Sequence, residues 1–304
     1  MRRIIVIATT LAAGIVLAGA CLAGGPSVQK LNENARIDWT NLVYVATGEG
    51  AVPSVNEEPN RARAYLKAKG YARMAAIANL LAAIEGTTIS YEAVGKDYME
   101  DATIRQKIEG FVRNVEVTRT TEEKVEGDTM IVVEVRAPVF GQNAPGSVLL
   151  GRERLKQAGG EVRVTTKFDS RPLQSTDIDA AKPSDPSMPY TSVIIDTRGF
   201  KLDRCMSPKI RRADGTEIWG SMNVSMDVVL ERGIASYVTS LEDGRKNPRA
   251  GSNPLIIRAI GRAGGKFNSD PVISDADAEL LLAENAKSGF LNKLNVIIVK
   301  DGRL

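Results

Sequence analysis

Two cysteines and one short cationic stretch are the residues of this chain whose types and positions suggest chemistry. Cys21 lies among small apolar residues, and Cys205 lies far from it in the second half of the chain. The sequence contains no histidine, so no Ser-His-Asp or Cys-His nucleophile and no His-containing zinc site can be built. Carboxylates, lysines and tyrosines remain, but no paired-carboxylate motif stands out. We therefore expect no catalytic residue, no metal, no cofactor and no enzymatic activity.

Cys21 follows the residue order of an export signal. Two arginines precede an uncharged apolar run over residues 4–17, and small residues occupy positions 18–20. Three outcomes are open: cleavage before a lipidated Cys21, cleavage at an Ala-x-Ala site without lipid, or retention as a membrane anchor, since about 20 apolar residues span a bilayer. In each case residues 1–25 direct export, and the folded part is expected outside the cytoplasm.

The cationic stretch lies in the segment 244–254. Arg245, Lys246 and Arg249 are expected in a flexible loop there, where solvated side chains are the ordinary outcome and contact with an anionic surface is the functional alternative. The net charge is +3 for the full chain, and about +1 once the two signal arginines are removed, so the chain as a whole has no electrostatic reason to bind nucleic acid.

An acidic cluster near the C-terminus has a structural explanation. Its members are Asp270, Asp275, Asp277 and Glu279. They lack the alternating carboxylate spacing and the glycine hinge of a calcium loop. Ser274 followed by Asp277 is instead typical of a capping box at the start of a helix that runs to Gly289.

The first half of the chain has the periodicity of a sheet covered by a helix. The pattern predicts in turn a strand, a long helix, a second strand, a short helix or ordered loop, and a hairpin over residues 41–50, 59–86, 87–94, 97–110 and 111–139. Gly110 is expected to cap the short helix, and the hairpin is expected to turn at residues 126–128. These elements predict an α+β domain over residues 38–140, a helix-covered antiparallel sheet.

Glycine and alanine positions add two expectations for this domain. Gly48-Glu49-Gly50 is interpreted as a tight turn, because the third glycine of a dinucleotide-binding loop is missing. Alanines recur at three- and four-residue steps along the helix over 59–86, so whatever packs on that stripe must come close. The stripe either covers its own sheet or forms an oligomer contact.

The second half predicts a linker and a second domain. Residues 141–189 are rich in proline, serine and aspartate, which is typical of an exposed linker, with a short helix and strand near its start. A second α+β domain is expected over residues 190–304. Its predicted elements are strands near 190–200, 253–262 and 294–300, a hairpin over 207–220 and a helix over 275–288. The last strand is an unbroken apolar run, which indicates burial on both faces.

Four short motifs occur together between residues 40 and 140. They are Gly48-x-Gly50, Ile84-Glu85-Gly86, Ile108-Glu109-Gly110 and Val115-Glu116-Val117. With these motifs the chain resembles the LPP-twenty family of bacterial lipoproteins and, more loosely, the N-terminal domain of flagellar assembly protein T. The resemblance implies a non-enzymatic envelope protein, often lipidated and sometimes tied to flagellar or outer-membrane assembly. It supplies no catalytic residue.

Taken together, these observations predict an exported envelope protein that acts as an interaction or structural module. It is expected to be either a membrane-anchored lipoprotein or periplasmic, with other envelope proteins as partners. The alternative is an exported module that binds a small ligand or a glycan in a cleft between the two domains.

Overall fold

The computed structural model describes residues 27–90, 93–158, 184–221, 224–263 and 266–302, and it shows an α+β fold, as predicted. Cys21 and the export segment lie outside the described residues, as do residues 159–183 of the expected linker. Two units follow one another along the chain.

The N-terminal unit is an antiparallel sheet with one long helix across it. Its strands are β1 (Val28–Asn32), β2 (Ala35–Asp38), β3 (Val43–Ala51), β4 (Val117–Val125) and β5 (Asp128–Pro138). Its helices are α1 (Arg61–Gly86), α2 (Ala102–Arg113) and α3 (Pro145–Ala158). The strand order is β1-β2-β3-β5-β4, and the predicted hairpin over residues 111–139 is the β4–β5 pair.

Helix α1 lies unusually close to β3. The alanine stripe is buried against the sheet, so the first of its two predicted roles, covering its own sheet, is the correct one. A Cβ placed on Gly48 would lie 2.1 Å from the Ala76 backbone nitrogen, and one on Gly50 would lie 2.2 Å from the Ala68 carbonyl oxygen. The expected tight turn at residues 48–50 is therefore wrong. These glycines lie inside β3, where the missing side chains let the helix backbone approach.

Two other local predictions also fail. A strand is predicted over residues 87–94, but the described residues of that segment, 87–90 and 93–94, contain only an isolated bridge between Thr88 and Val94. Thr87 instead ends α1, and its hydroxyl donates to the Ala83 carbonyl. Gly110 does not cap a helix. Helix α2 continues through it to Arg113, since that glycine lies on the exposed side of the helix and meets no obstacle.

The C-terminal unit contains two small sheets. The first is parallel, in the order β10-β6-β13-β9, and is built from β6 (Ser192–Asp196), β9 (Ser236–Val238), β10 (Pro254–Arg258) and β13 (Val296–Val299). The second has the order β11-β12-β7-β8, from β7 (Ile210–Arg211), β8 (Glu217–Trp219), β11 (Gly261–Ala263) and β12 (Asp270–Val272). The helices are α4 (Met226–Arg232), α5 (Leu241–Lys246) and α6 (Asp275–Ser288).

Several sequence predictions for this unit are confirmed. Strand β13 is fully buried and has parallel neighbours on both sides, as its apolar run indicated. Helix α6 begins at Ser274, whose hydroxyl accepts from the Asp277 amide, and it ends at Gly289 in the left-handed conformation. The β7–β8 hairpin turns at residues 213–215, where Gly215 has a positive φ.

The two units share one continuous hydrophobic core. The Met206 and Ser207 amides donate to the Thr88 and Ile89 carbonyls, which joins the second unit to the segment after α1. Helix α3 occupies the first part of the expected linker and carries the buried Leu149 into this core. The start of that segment is thus a packed helix rather than an exposed connection.

Candidate binding cleft

A surface cleft of about 830 Å³ lies on the N-terminal unit. Helix α2 forms one wall, the start of β4 and the end of β5 form the floor, and the loop after β5 closes one end. Its lining residues are Thr103, Gln106, Lys107, Gly110, Phe111, Asn114, Val115, Glu116, Thr118, Arg136, Pro138, Gln142 and Asn143. The alternative prediction placed a ligand cleft between the domains, whereas this cleft is built from the first unit alone.

Helix α2 is held in place by its two ends. The Asp101 carboxylate accepts from the amides of Thr103 and Ile104, which caps the first turn. At the other end the Asn114 side chain donates to the Gly110 carbonyl at 2.8 Å. Its inward face buries Ile104, Ile108 and Val112 in the core, so Lys107 and Phe111 are directed toward the cleft.

The loop after β5 adopts a conformation that places two amides on the cleft rim. Gly141 has a φ of 135° and Asn143 a φ of 60°, both in the region that most side chains avoid. The Gly141 amide donates to the Ser147 hydroxyl at 3.1 Å, which fixes the loop to α3. Gln142 and Asn143 are exposed beside the cleft as a result.

The cleft is chemically suited to binding. It offers four side-chain amides, two hydroxyls, two cations, one carboxylate and the half-buried ring of Phe111. Most of these polar side chains are exposed, and Arg136 also pairs with Glu134 at 3.0 Å. Such a lining supplies donors and acceptors across a broad open surface. Sequence reasoning missed the site, because its residues come from four segments that form no motif together.

Cys205 is buried, and its surroundings make the thiol unreactive. Its backbone amide donates to the Tyr237 hydroxyl at 3.1 Å, and that hydroxyl in turn donates to the Cys205 carbonyl. Burial raises the pKa of the Cys205 thiol to about 12, with a further contribution from the nearby Asp270 charge. A thiol with this pKa is protonated at neutral pH and is a poor nucleophile.

Arg249 does not lie in a solvated loop. Its side chain is buried and donates to the carbonyls of Ile234 and Leu294 at 3.2 and 2.6 Å, and to those of Arg232 and Gly233. The guanidinium thereby ties together segments that are far apart in the sequence. The expected contact of Arg249 with an anionic surface is therefore excluded by its burial.

The other two members of the cationic stretch lie in helix α5. Lys246 is exposed and forms an ion pair with Glu242 one turn earlier. Arg245 is half-buried, and burial lowers its pKa. The structure thus separates Arg245, Lys246 and Arg249 into a helix and a buried hydrogen-bonding position, and it does not assemble them into one cationic surface.

The acidic cluster is dispersed in the same way. Asp270 is fully buried and forms an ion pair with Arg211 at 2.7 Å; burial raises its pKa to about 6 against the opposing effect of that arginine. Asp275 and Glu279 face Arg212 instead. Among the described residues, no group of histidine, cysteine and acidic side chains is arranged to hold a metal ion.

The carboxyl edge of the parallel sheet is the position where ligands bind in many open α/β sheets. Here Asp196, at the end of β6, forms ion pairs with Arg198 at 2.8 Å and with Arg258. The Gly199 amide donates to the Asp301 carboxylate at 3.0 Å. Both carboxylates at this edge are thus engaged by neighbouring groups, which leaves the cleft beside α2 as the stronger candidate site.

The fold and the cleft together define an α+β protein with an open polar surface site. A family model described as the second domain of Treponema pallidum Tp0624 matches residues 192–302. The matched residues begin with β6 and lie entirely in the C-terminal unit, so they include none of the residues that line the cleft. A search of the curated proteins gave no match. In the described part of the chain, no helix is long and apolar enough to cross a membrane.

Proposed function

We propose that this chain is an exported, non-enzymatic interaction module of a bacterial envelope, and that the cleft beside α2 binds a segment of a partner protein. The open, mainly exposed polar lining carries this proposal. Small-molecule sites usually enclose most of their ligand, whereas the side chains here stand on a broad surface that leaves one side of an occupant in solvent. That geometry suits an extended peptide or a loop.

Strand β4 supports the same conclusion. It is a nine-residue strand at the sheet edge and, among the described residues, it pairs only with β5. Thr118 belongs both to β4 and to the cleft lining. A partner segment that enters the cleft can therefore continue along the free edge of β4, where backbone groups are available for strand addition. The charged residues of β4, which include Arg119 and Glu123, oppose unspecific edge pairing.

The envelope setting rests on the sequence. The apolar run over residues 4–17 and the small residues before Cys21 support export, with lipid on Cys21 as one form of attachment. The resemblance to LPP-twenty lipoproteins supports a role in outer-membrane or flagellar assembly. The partner in this proposal is accordingly another envelope protein.

A second candidate function is the binding of a glycan or another small polar ligand in the same cleft. The observation that favours it is the combination of side-chain amides such as Gln106 and Asn114 with the half-buried ring of Phe111, because sugars offer hydroxyls to the amides and a C–H face to the ring. This candidate predicts that envelope glycan fragments raise the melting temperature of the chain. A partner-protein site predicts no such rise.

Site-specific photocrosslinking in the native cell tests the leading proposal. A photoreactive residue at Gln142 lies on the cleft rim, and one at Lys287 on α6 is the matched exposed control. We expect a discrete protein adduct at Gln142 that mass spectrometry identifies, and none of the same mass at Lys287. The double variant Lys107→Glu, Arg136→Glu should abolish the Gln142 adduct. Both side chains are exposed, so the reversal of their charge leaves the core intact. An identical adduct from both positions, or its persistence in the double variant, would contradict the proposal.

A further inference from the structure

The outer surface of α1 carries large apolar side chains that the fold leaves uncovered. Ala64, Ala68 and Ala72 are buried against the sheet, and the residue two places after each lies about 200° around the helix, on the opposite side. Leu66 and Met74 occupy two of these outward positions, with exposed fractions of 70% and 59%. Tyr71 lies beside them and is also 59% exposed.

The same surface is strongly cationic. Helix α1 contains five basic residues before position 74 and no acidic residue before Glu85. All five are exposed: Arg61, Arg63, Lys67, Lys69 and Arg73. Lys67 pairs with Glu58 at 2.6 Å, and the Arg61 guanidinium lies over the Tyr65 ring at 5.8 Å. Arg63 and Arg73 form no ion pair within the described residues. They lie on either side of the exposed Leu66 and Met74 side chains.

We propose that this outer face of α1, defined by Leu66, Tyr71 and Met74 with Arg63 and Arg73 beside them, binds the surface of a bilayer that contains anionic phospholipids. Helices that lie on membranes combine cations with apolar side chains that insert among the lipid headgroups. The cations contact lipid phosphates while Leu66 and Met74 enter the acyl boundary. The Tyr71 ring, which is apolar with a polar tip, suits the headgroup level.

Charge argues against a second copy of the chain as the occupant. A two-fold interface uses the same patch on both subunits, so self-association through this face would place five cations of one α1 against five of another. Protein partners are also disfavoured, since the cores of protein interfaces are depleted in charged residues, whereas here cations alternate with the apolar side chains. An anionic lipid surface complements both features.

The position of the export segment agrees with a membrane nearby. Only five residues separate Cys21 from Ser27, where the described chain begins, and a chain of that length spans at most roughly 20 Å. Strand β1 follows at once and contacts α1, where the Asn32 side chain donates to the Asn79 carbonyl at 3.3 Å. A lipid on Cys21 would therefore hold α1 in the vicinity of the bilayer.

An environment-sensitive dye tests the contact directly. The full chain carrying Cys21→Ser is reconstituted into vesicles of phosphatidylcholine, or of phosphatidylcholine and phosphatidylglycerol in equal amounts. The dye is attached at Met74→Cys, or at Leu280→Cys on α6 as the matched control, whose side chain is 42% exposed. Cys205 is buried and does not compete for the label.

We expect a blue-shifted emission at position 74 in the anionic vesicles, quenched by brominated acyl chains, and none at position 280. Replacing Arg63 and Arg73 by Gln should weaken the contact about thirtyfold, since each cation near an anionic surface contributes about 1 kcal/mol.

Equal emission at both positions, or equal insertion in both vesicle types, would overturn the proposal. A blue shift without vesicles would overturn it as well, because it would show that another protein copy covers this face. None of these outcomes depends on the cleft, so the result is separate from that of the crosslinking.

Discussion

The rings of Trp39 and Tyr237 meet edge to face, with their centroids 5.5 Å apart and their planes at 70°. Trp39 follows β2 in the first unit, and Tyr237 lies in β9 of the second. The hydroxyl of Thr40 donates to the Tyr237 carbonyl at 3.1 Å beside them, and the Tyr237 hydroxyl bonds with Cys205. One aromatic contact thus joins both units and reaches the buried thiol.

Removing this contact should destabilise the whole chain. We expect Trp39→Ala to lower the free energy of unfolding by about 3–5 kcal/mol, as is usual for a buried large aromatic residue. Trp39→Phe keeps a ring and should cost less. Chemical denaturation followed by circular dichroism measures both variants. A loss below about 1 kcal/mol for Trp39→Ala would show that this contact contributes little.

Two glycines of the first unit should respond to alanine in opposite ways. Gly48→Ala places a Cβ 2.1 Å from the Ala76 backbone nitrogen, so α1 must move off the sheet. We expect a loss of at least about 3 kcal/mol, at the upper end of overpacking costs. Gly70→Ala meets nothing within 4 Å and lies inside α1, so it should stabilise the chain by about 0.5–1 kcal/mol. Melting temperatures of the two variants compare the effects, and a neutral Gly48→Ala would contradict the close approach.

Arg249 should behave as a structural residue. Arg249→Leu leaves the carbonyls of Ile234, Gly233 and Leu294 without their donor, and we expect a loss of roughly 3 kcal/mol, since each unpaired buried acceptor costs about 1–3 kcal/mol. Lys246→Leu is the control on the neighbouring helix and should stay within about 0.5 kcal/mol, because Lys246 is exposed. Equal effects from the two substitutions in urea unfolding would contradict this role.

Cys205 should resist alkylation in the folded chain. Burial raises its pKa to about 12, so almost no thiolate exists at pH 8 and reagent cannot reach it. Treatment with iodoacetamide followed by mass spectrometry should leave Cys205 unmodified until denaturant is added. Cys21 in unlipidated full-length chain serves as the internal reference. Native labelling of Cys205 at the rate of a free thiol would show that the Tyr237 environment opens in solution.

Much of the fold was predictable, because it depends on local pattern. The alanine stripe of α1, the β4–β5 hairpin and the capped helix after Ser274 each have a signal within a few residues, and each is confirmed. The prediction of a tight turn at Gly48 and Gly50 is wrong, since a local turn and a closely packed helix both favour glycine and only the tertiary contact distinguishes the two cases.

The sites were less predictable, because they depend on distant segments. The sequence predicts a solvated Arg249, but its guanidinium is buried and donates to carbonyls from separate positions in the chain. Among these are the carbonyls of Arg232 at the C-terminal end of α4, of Ile234 and of Leu294. The cleft is assembled from α2, β4, β5 and a loop, and no short stretch contains its pattern. The outer face of α1 was not predicted either, because the alanine stripe indicates which side of the helix is buried but not that the fold leaves Leu66 and Met74 uncovered.

Export is the claim on which the envelope role, the partner and the lipid contact all depend. Its most direct test is the intact mass of the mature chain, recovered separately from the membrane and soluble fractions of the native cell. We predict an envelope-localised chain in one of three forms. It begins at Cys21 and carries diacylglyceryl and acyl groups, or it begins near Cys21 without lipid, or it keeps the export segment as a membrane anchor. A chain that retains Met1 and resides in the cytoplasm would contradict the account.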